Sequence, residues 1–358
     1  MADPQALAAR VLRECGRHPD IADQVIESRS GATVVLYSRV VVKLHPPGTE
    51  GTELAWRLST AASCPQALLT PLYARPVCLD RVGPAGSVLA SVWPKVLPLQ
   101  ASSPDEVDWP EIGSVLARLH RWPLSTYLGP SHGGPARLAR AARALSQLAA
   151  ADVDRATATV PSDPCGKRSA GELTAREVST GQPSGQCNCA ATTVVNGQPR
   201  LPVPADDAWA HFSLGDLARL AGALHVELVA QPTARRHLVH GDWHLGQVAQ
   251  TDDGWRLLDV DDLGLGDPAW DFGRPAGAWA AGMLDEPSLT ALLDGYRQAA
   301  GPALPPTGDP WPRIDLPARC SVVIALYGLL RDRPAGVEAE QLVGNLVGAC
   351  ARMAALSG

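Results

Sequence analysis

Leu238-Val239-His240-Gly241-Asp242-Trp243-His244-Leu245-Gly246-Gln247, followed by Leu258-Asp259-Val260-Asp261-Asp262, is the stretch on which the reading of this chain turns. The carboxylate Asp242 lies five residues before the amide Gln247, and a second carboxylate, Asp259, closes the group. Val248–Gln250 and Trp255–Asp259 alternate as short strands, and Asp252-Asp253-Gly254 suits a three-residue hairpin loop with Gly254 left-handed. Counting back from a Thr251/Trp255 pair sets Gln247 opposite Asp259, where same-face Cβ atoms lie about 4.5–5.5 Å apart. A two-residue loop would slip that register. In the predicted register a carbonyl oxygen and a carboxylate converge on one point, which suits Mg²⁺, a cation that takes oxygen ligands.

Asp242 has a separate task. Gly241 permits an unusual backbone angle, and the tight loop aims the carboxylate at a hydroxyl placed beside a metal-bound phosphate. Phosphoryl transfer depends mainly on positioning and charge neutralisation, so the set implies Asp242 as base or orienter and Gln247 with Asp259 as metal ligands. A different reading takes His240, Asp242 and His244 as Zn²⁺ ligands of a metallohydrolase. It ranks lower, because the other histidines are scattered without a second ligand cluster.

At 358 residues the chain is long enough for two lobes with separate cores, and 46% hydrophobic with 19% charged residues is ordinary for a soluble enzyme. The start has no apolar signal core and no apolar run spans a bilayer, so a cytoplasmic protein without a membrane partner is expected. Eight scattered cysteines suggest reduced thiols rather than a disulfide framework; Cys165, Cys187 and Cys189 are only weakly suggestive of a metal site. A net charge of −6 argues against a nucleic-acid partner and is compatible with a cationic substrate. A monomer or weak dimer is expected.

Asp3-Pro4 caps a first predicted helix, and Gly31 to His45 alternates as two strands around Ser38-Arg39. A helix over Glu50 to Ala62 and strands near Arg75–Leu79 and Ser87–Trp93 complete a small sheet lobe. Pro94-Lys95-Val96-Leu97-Pro98 reads as the connection to a larger helical lobe, giving expected divisions at 1–94 and 95–358. Helices are predicted over Pro110–Arg121, Ala136–Ala151, Leu214–Ala230, Ser288–Ala299, Pro317–Leu330 and Val337–Leu356. Between them, 162–204 turns to Gly, Ser, Thr, Asn, Pro and Cys, an irregular insertion without apolar period.

Lys43 ends a hydrophobic strand and needs an anionic partner if buried. Kinase logic offers a carboxylate from the following helix, Glu50 in preference to Glu53, together with nucleotide phosphates. Ser30 and Gly31, within Ser28-Arg29-Ser30-Gly31-Ala32-Thr33, are candidates to cover phosphates with backbone amides and hydroxyls. Val96, in the connection, is a candidate to line the nucleotide pocket. Asp267 and Asp271 read as hydrogen-bonding braces, with Trp270 and Phe272 in the core.

The combination of His240-Gly241-Asp242-x-His244, Leu258-Asp259-x-Asp261-Asp262-x-Gly264-x-Gly266-Asp267-Pro268-x-x-Asp271, upstream Lys43 and Trp93-Pro94 resembles the aminoglycoside phosphotransferase family, relatives of choline kinases and protein kinases. The resemblance implies an α+β, two-lobed protein-kinase-like fold with a small antiparallel sheet lobe and a larger helical lobe. It further implies Mg²⁺ and a nucleoside triphosphate, ATP or GTP, in the cleft, and transfer of the γ-phosphate to a hydroxyl of a small molecule such as an antibiotic. By the same analogy Asp242 is the catalytic Asp, Asp259 the principal metal ligand and Lys43 the phosphate-binding lysine. Two features depart from the pattern. The family's metal-binding Asn is Gln247 here, as in the similar loop of maltokinases, which opens sugars as acceptors. The 162–204 insertion is the second departure. A nucleotide-binding pseudokinase is the alternative from another class.

Overall fold

The computed structural model describes residues 3–28, 31–80, 86–100, 106–124, 129–158, 212–231, 236–333 and 336–356. The insertion expected over 162–204 lies outside these residues, as does Ser30.

The first region is an antiparallel sheet of β1 (Gln24–Glu27), β2 (Thr33–Leu36), β3 (Val40–Leu44), β4 (Val77–Leu79) and β5 (Val88–Pro94), in the order β1-β2-β3-β5-β4. Helix α1 (Pro4–Glu14) starts where the Asp3 carboxylate accepts a hydrogen bond from Gln5 N, and Pro4 costs nothing at the first turn. Its buried face of Ala8, Val11 and Leu12 packs with Val35, Val42 and Val92 of the sheet. Strand β1 was not predicted. Its pattern is mostly exposed, so the apolar alternation that marks the other strands is weak there.

Helix α2 (Gly51–Ser63) turns its apolar stripe the other way. Leu54, Leu58 and Ala61 enter a second core with Ile112, Leu116 and Leu119 of α3 (Trp109–His120) and with Leu292 and Tyr296 of α7 (Glu286–Gln298). Helices α3 and α7 meet backbone to backbone. A side chain at Gly113 would run into the Leu292 carbonyl, and one at Gly295 into that of Pro110. A third core joins α4 (Gly134–Ala158), α5 (Leu214–Ala230), α8 (Trp311–Asp332) and α9 (Val337–Leu356) through residues such as Leu145, Leu224, Val323 and Val347. Ser213 and Asp216 close a capping box at the start of α5. Helix α8 begins earlier than predicted. Pro312 occupies its first turn, and Pro317 sits inside because Ile314, Ala318 and Val322 continue the buried stripe past it.

Between these helices lie two small antiparallel pairs, β6 (His237–Val239) with β9 (Gly264–Gly266), and β7 (Val248–Thr251) with β8 (Gly254–Leu257). The β7–β8 hairpin is fastened to the first region and to its connection. Leu257 N donates to Ala67 O at 2.8 Å, Leu69 N to Leu257 O at 2.9 Å, and Leu99 N to Val248 O at 2.7 Å. Short helix α6 (Gly273–Ala280) follows a 3₁₀ turn at Pro268–Phe272. No helix among the described residues is long and apolar enough to cross a membrane.

Candidate active site

A fully buried carboxylate organises the loop that bears Asp242. Asp271 accepts from His240 N at 2.8 Å, from Gly241 N at 2.9 Å and from His120 Nε2 at 2.9 Å. Tyr296 Oη accepts from Ala303 N at 2.9 Å and donates to His120 Nδ1 at 2.8 Å, which leaves the His120 Nε2–H to face Asp271. Gly241 turns the chain at φ 84°, against the Asp262 backbone, where a Cβ has no room. His240 Nε2 donates to Leu258 O at 2.7 Å, tying this loop to the segment that bears Asp259.

Burial pushes the Asp271 carboxyl up, but the hydrogen bonds from His120 and the Gly241 N–H pull it below its ordinary value. Asp271→Ala orphans three buried donors and is expected to cost about 3–5 kcal/mol, read from chemical denaturation. Because the folded pKa is depressed, the carboxylate's contribution is complete above its unfolded value of about 4 and is lost as pH falls through the folded one. The wild-type and Asp271→Ala stabilities should therefore converge in acid.

Asp242 is held from two sides. Arg137 Nη1 and Arg274 Nη2 both reach its Oδ1, and Arg137 Nη1 also pairs with Asp262 Oδ2 at 3.0 Å. Neither arginine was foreseen. Arg137 lies in an Ala/Arg-rich helix with nothing to distinguish it from its neighbours, whereas Arg274 directly follows Asp271-Phe272-Gly273, the one local signal available.

Across the cleft, Lys43 of β3 bridges the first region to the second. Its Nζ lies 2.7 Å from Asp259 Oδ1 and 2.7 Å from Asp261 Oδ2. Burial disfavours the ammonium, but these two carboxylates outweigh it and raise the lysine's pKa. Burial likewise pushes Asp259 up, and Lys43 with the Asp261 N–H overrides it, leaving the carboxyl at about 2 and ionised at neutral pH.

Residues 186–312 match the model of the phosphotransferase enzyme family. Over these residues the chain is similar to that family. Among curated proteins compared by sequence, none matches. Among solved structures, the amicoumacin kinase in complex with AMP-PNP, Ca²⁺ and Ami is 11% identical with a TM-score of 0.57, the match covering 96% of this chain and 93% of that one. A microcompartment-associated aminopropanol kinase is 15% identical at 0.53, covering 98% and 97%. The AMP-bound spectinomycin phosphotransferase is 13% identical at 0.50, covering 96% and 98%. The expected resemblance and the protein-kinase-like α+β fold are borne out.

Several expected placements in this chain need correction. The β7–β8 loop has two residues, not three: Thr251 pairs with Gly254, so Val248 opposes Leu257 and the register is one residue off the expected one. Gly254 does take a positive φ, 102°. Gln247 consequently faces Leu258, whose N–H donates to its carbonyl at 2.8 Å, within a 3₁₀ turn at Leu245–Gln247. Asp259 lies beyond the strand at φ 56°, a left-handed conformation that Asp tolerates better than most residues.

Neither helix carboxylate reaches Lys43. Glu50 is the exposed residue before α2, and Glu53 pairs with Arg57 at 3.0 Å. Asp259 and Asp261 are already in the lysine's reach from the other side of the cleft. Gly31 adopts φ 83° in the β1–β2 turn, and Val96 is half-buried in the connection. The zinc reading fits poorly, since His240 Nε2 is committed to a carbonyl and Asp242 to two arginines. Asp267 and Asp271 are braces: Asp267 accepts from Ala269 N at 3.0 Å and pairs with Arg313 at 2.8 Å.

Proposed function

We propose that this phosphotransferase transfers the γ-phosphoryl group of ATP, or GTP, to a hydroxyl of a small molecule in the presence of Mg²⁺. The observation that carries the reading is Lys43, delivered by the sheet to the paired carboxylates Asp259 and Asp261. An ammonium group and ionised carboxylates facing each other across a cleft are the parts that hold a metal–triphosphate complex.

The donor set fits Mg²⁺. Asp259 offers an ionised carboxylate and Gln247 an amide carbonyl, both hard oxygen donors. When bound, the ion neutralises phosphate charge and orients the γ-phosphoryl group. The chain's own groups do the rest. Lys43 shares its charge with the phosphates, and Asp242 orients the acceptor hydroxyl and takes its proton. The acceptor oxygen bonds to the γ-phosphorus as the bond to the β,γ-bridging oxygen breaks, releasing the nucleoside diphosphate. Related structures bound to AMP-PNP with Ca²⁺ and to AMP support nucleotide use by this fold.

The test is nucleotide binding with and without Mg²⁺, joined to a screen of antibiotics, sugars and amino alcohols read by a mass gain of one phosphoryl group. Absence of Mg²⁺-dependent nucleotide binding would remove the reading. The arginines on Asp242 favour a second reading, a pseudokinase module. Metal-dependent binding with neither nucleotide hydrolysis nor acceptor phosphorylation would select it.

A further inference from the structure

Beside Asp242 lies a cavity of about 420 Å³, a volume that takes a drug-sized ligand. Trp109, Trp243, Met283, Leu284, Val322 and Ala325 form much of its wall. Trp243, Arg274, Ser321 and Ala325 also line the recess that holds Asp242, so cavity and carboxylate share a wall. An acceptor seated in this cavity would sit next to the recess of the candidate base.

The charges of the wall are informative. Among its described residues the ionisable side chains are His244 and Arg274, and no carboxylate is present. The two carboxylates of the adjoining recess are taken: Asp242 by Arg137 and Arg274, and Asp271 by His120 and the His240 and Gly241 N–H groups. Within this lining an ammonium group meets a guanidinium and no carboxylate among the described residues. A polyhydroxylated acceptor finds polar side chains only at Arg274, His244 and Ser321 in a largely apolar wall, and each further buried hydroxyl left without a partner costs about 1–3 kcal/mol.

We propose that the acceptor is a largely apolar, ring-bearing alcohol, neutral or carrying one anionic group for Arg274, and that polycationic and polyhydroxylated molecules are poor acceptors. The inference rests on the phosphotransferase reading for its chemistry, but the cavity can be tested without nucleotide.

Three probes on one scaffold isolate charge: 2-naphthalenemethanol and its 6-carboxylate and 6-aminomethyl derivatives, titrated calorimetrically into the full chain alongside kanamycin and maltose. The neutral and anionic probes should bind, with the cationic probe, kanamycin and maltose weaker by about tenfold or more. Ala325→Trp, which fills the cavity, should weaken the neutral and anionic probes by about tenfold. Arg274→Leu should erase any advantage of the anionic probe over the neutral one. Tightest binding by the cationic probe, kanamycin or maltose, or no binding of the neutral and anionic probes, would overturn the proposal. So would unchanged probe affinity in a folded Ala325→Trp protein. Should that variant fail to fold, the wild-type order of the five ligands still decides. Failure of the phosphotransferase reading registers separately, as missing Mg²⁺-dependent nucleotide binding.

Discussion

Asp242→Asn is expected to lower phosphoryl-transfer turnover by about 10²–10⁴ while largely keeping nucleotide affinity. The substitution keeps the side chain's volume and removes its negative charge and basicity. It also frees two guanidinium groups, which decides whether the variant is interpretable. Arg137 retains Asp262 at 3.0 Å, and the side chain of Arg274 is 39% exposed, so water solvates what the carboxylate no longer does. The fold should therefore survive, and the defect should appear in turnover rather than in melting. Steady-state kinetics with the acceptor found by the mass screen provide the measurement. Unchanged turnover would remove Asp242 from its role.

Asp259→Ala is expected to abolish Mg²⁺-dependent nucleotide binding. Lys43 is not orphaned by the change, because Asp261 remains 2.7 Å from its ammonium group. The backbone adds a complication: φ is 56° at this position, and Ala in the left-handed region is strained by about 1–2 kcal/mol. Asp259→Asn avoids most of that strain, since Asn tolerates the conformation, and separates charge from shape. Both variants should lose nucleotide affinity by about 100-fold or more, measured by calorimetry at fixed Mg²⁺. Retained affinity in Asp259→Asn would count against this carboxylate as the metal's principal ligand.

The sequence was most legible where the cause of structure is local. Asp3-Pro4 marks a helix start by accepting a hydrogen bond two residues on, and the apolar stripe behind it follows a single period. The Asp271 brace was also readable as a type of contact, because an acid beside a turn has few other uses. What it braces was not readable, since His120 lies 151 residues away and Tyr296 enters from α7. The partner of Lys43 failed for the same reason. Local logic pointed to the helix beginning seven residues on, whereas the carboxylates that reach it lie across the cleft, one of them 216 residues away. The hairpin failed for a different reason: Asp252-Asp253-Gly254 suits loops of two or three residues, and a single residue of slip moves Gln247 from Asp259 to Leu258. The arginines on Asp242 carry no sequence pattern. They are a product of packing α4 and α6 against the same loop.

The backbone bonds around the β7–β8 hairpin bear on how the molecule comes apart. Ala67 and Leu69, which follow α2, and Leu99 of the connection grip opposite edges of one two-stranded ribbon. The apolar face of α2 is at the same time part of the core shared with α3 and α7. A chain ending at Pro94 would leave the Ala67 carbonyl, the Leu69 N–H and that face in water, unpaired backbone of the kind that pairs with other chains. We propose that a division at 94/95 would not mark a boundary of cooperativity. Opening the ribbon means loosening both sides together, so the sheet, the connection and the segment bearing Asp259 belong to one unfolding unit.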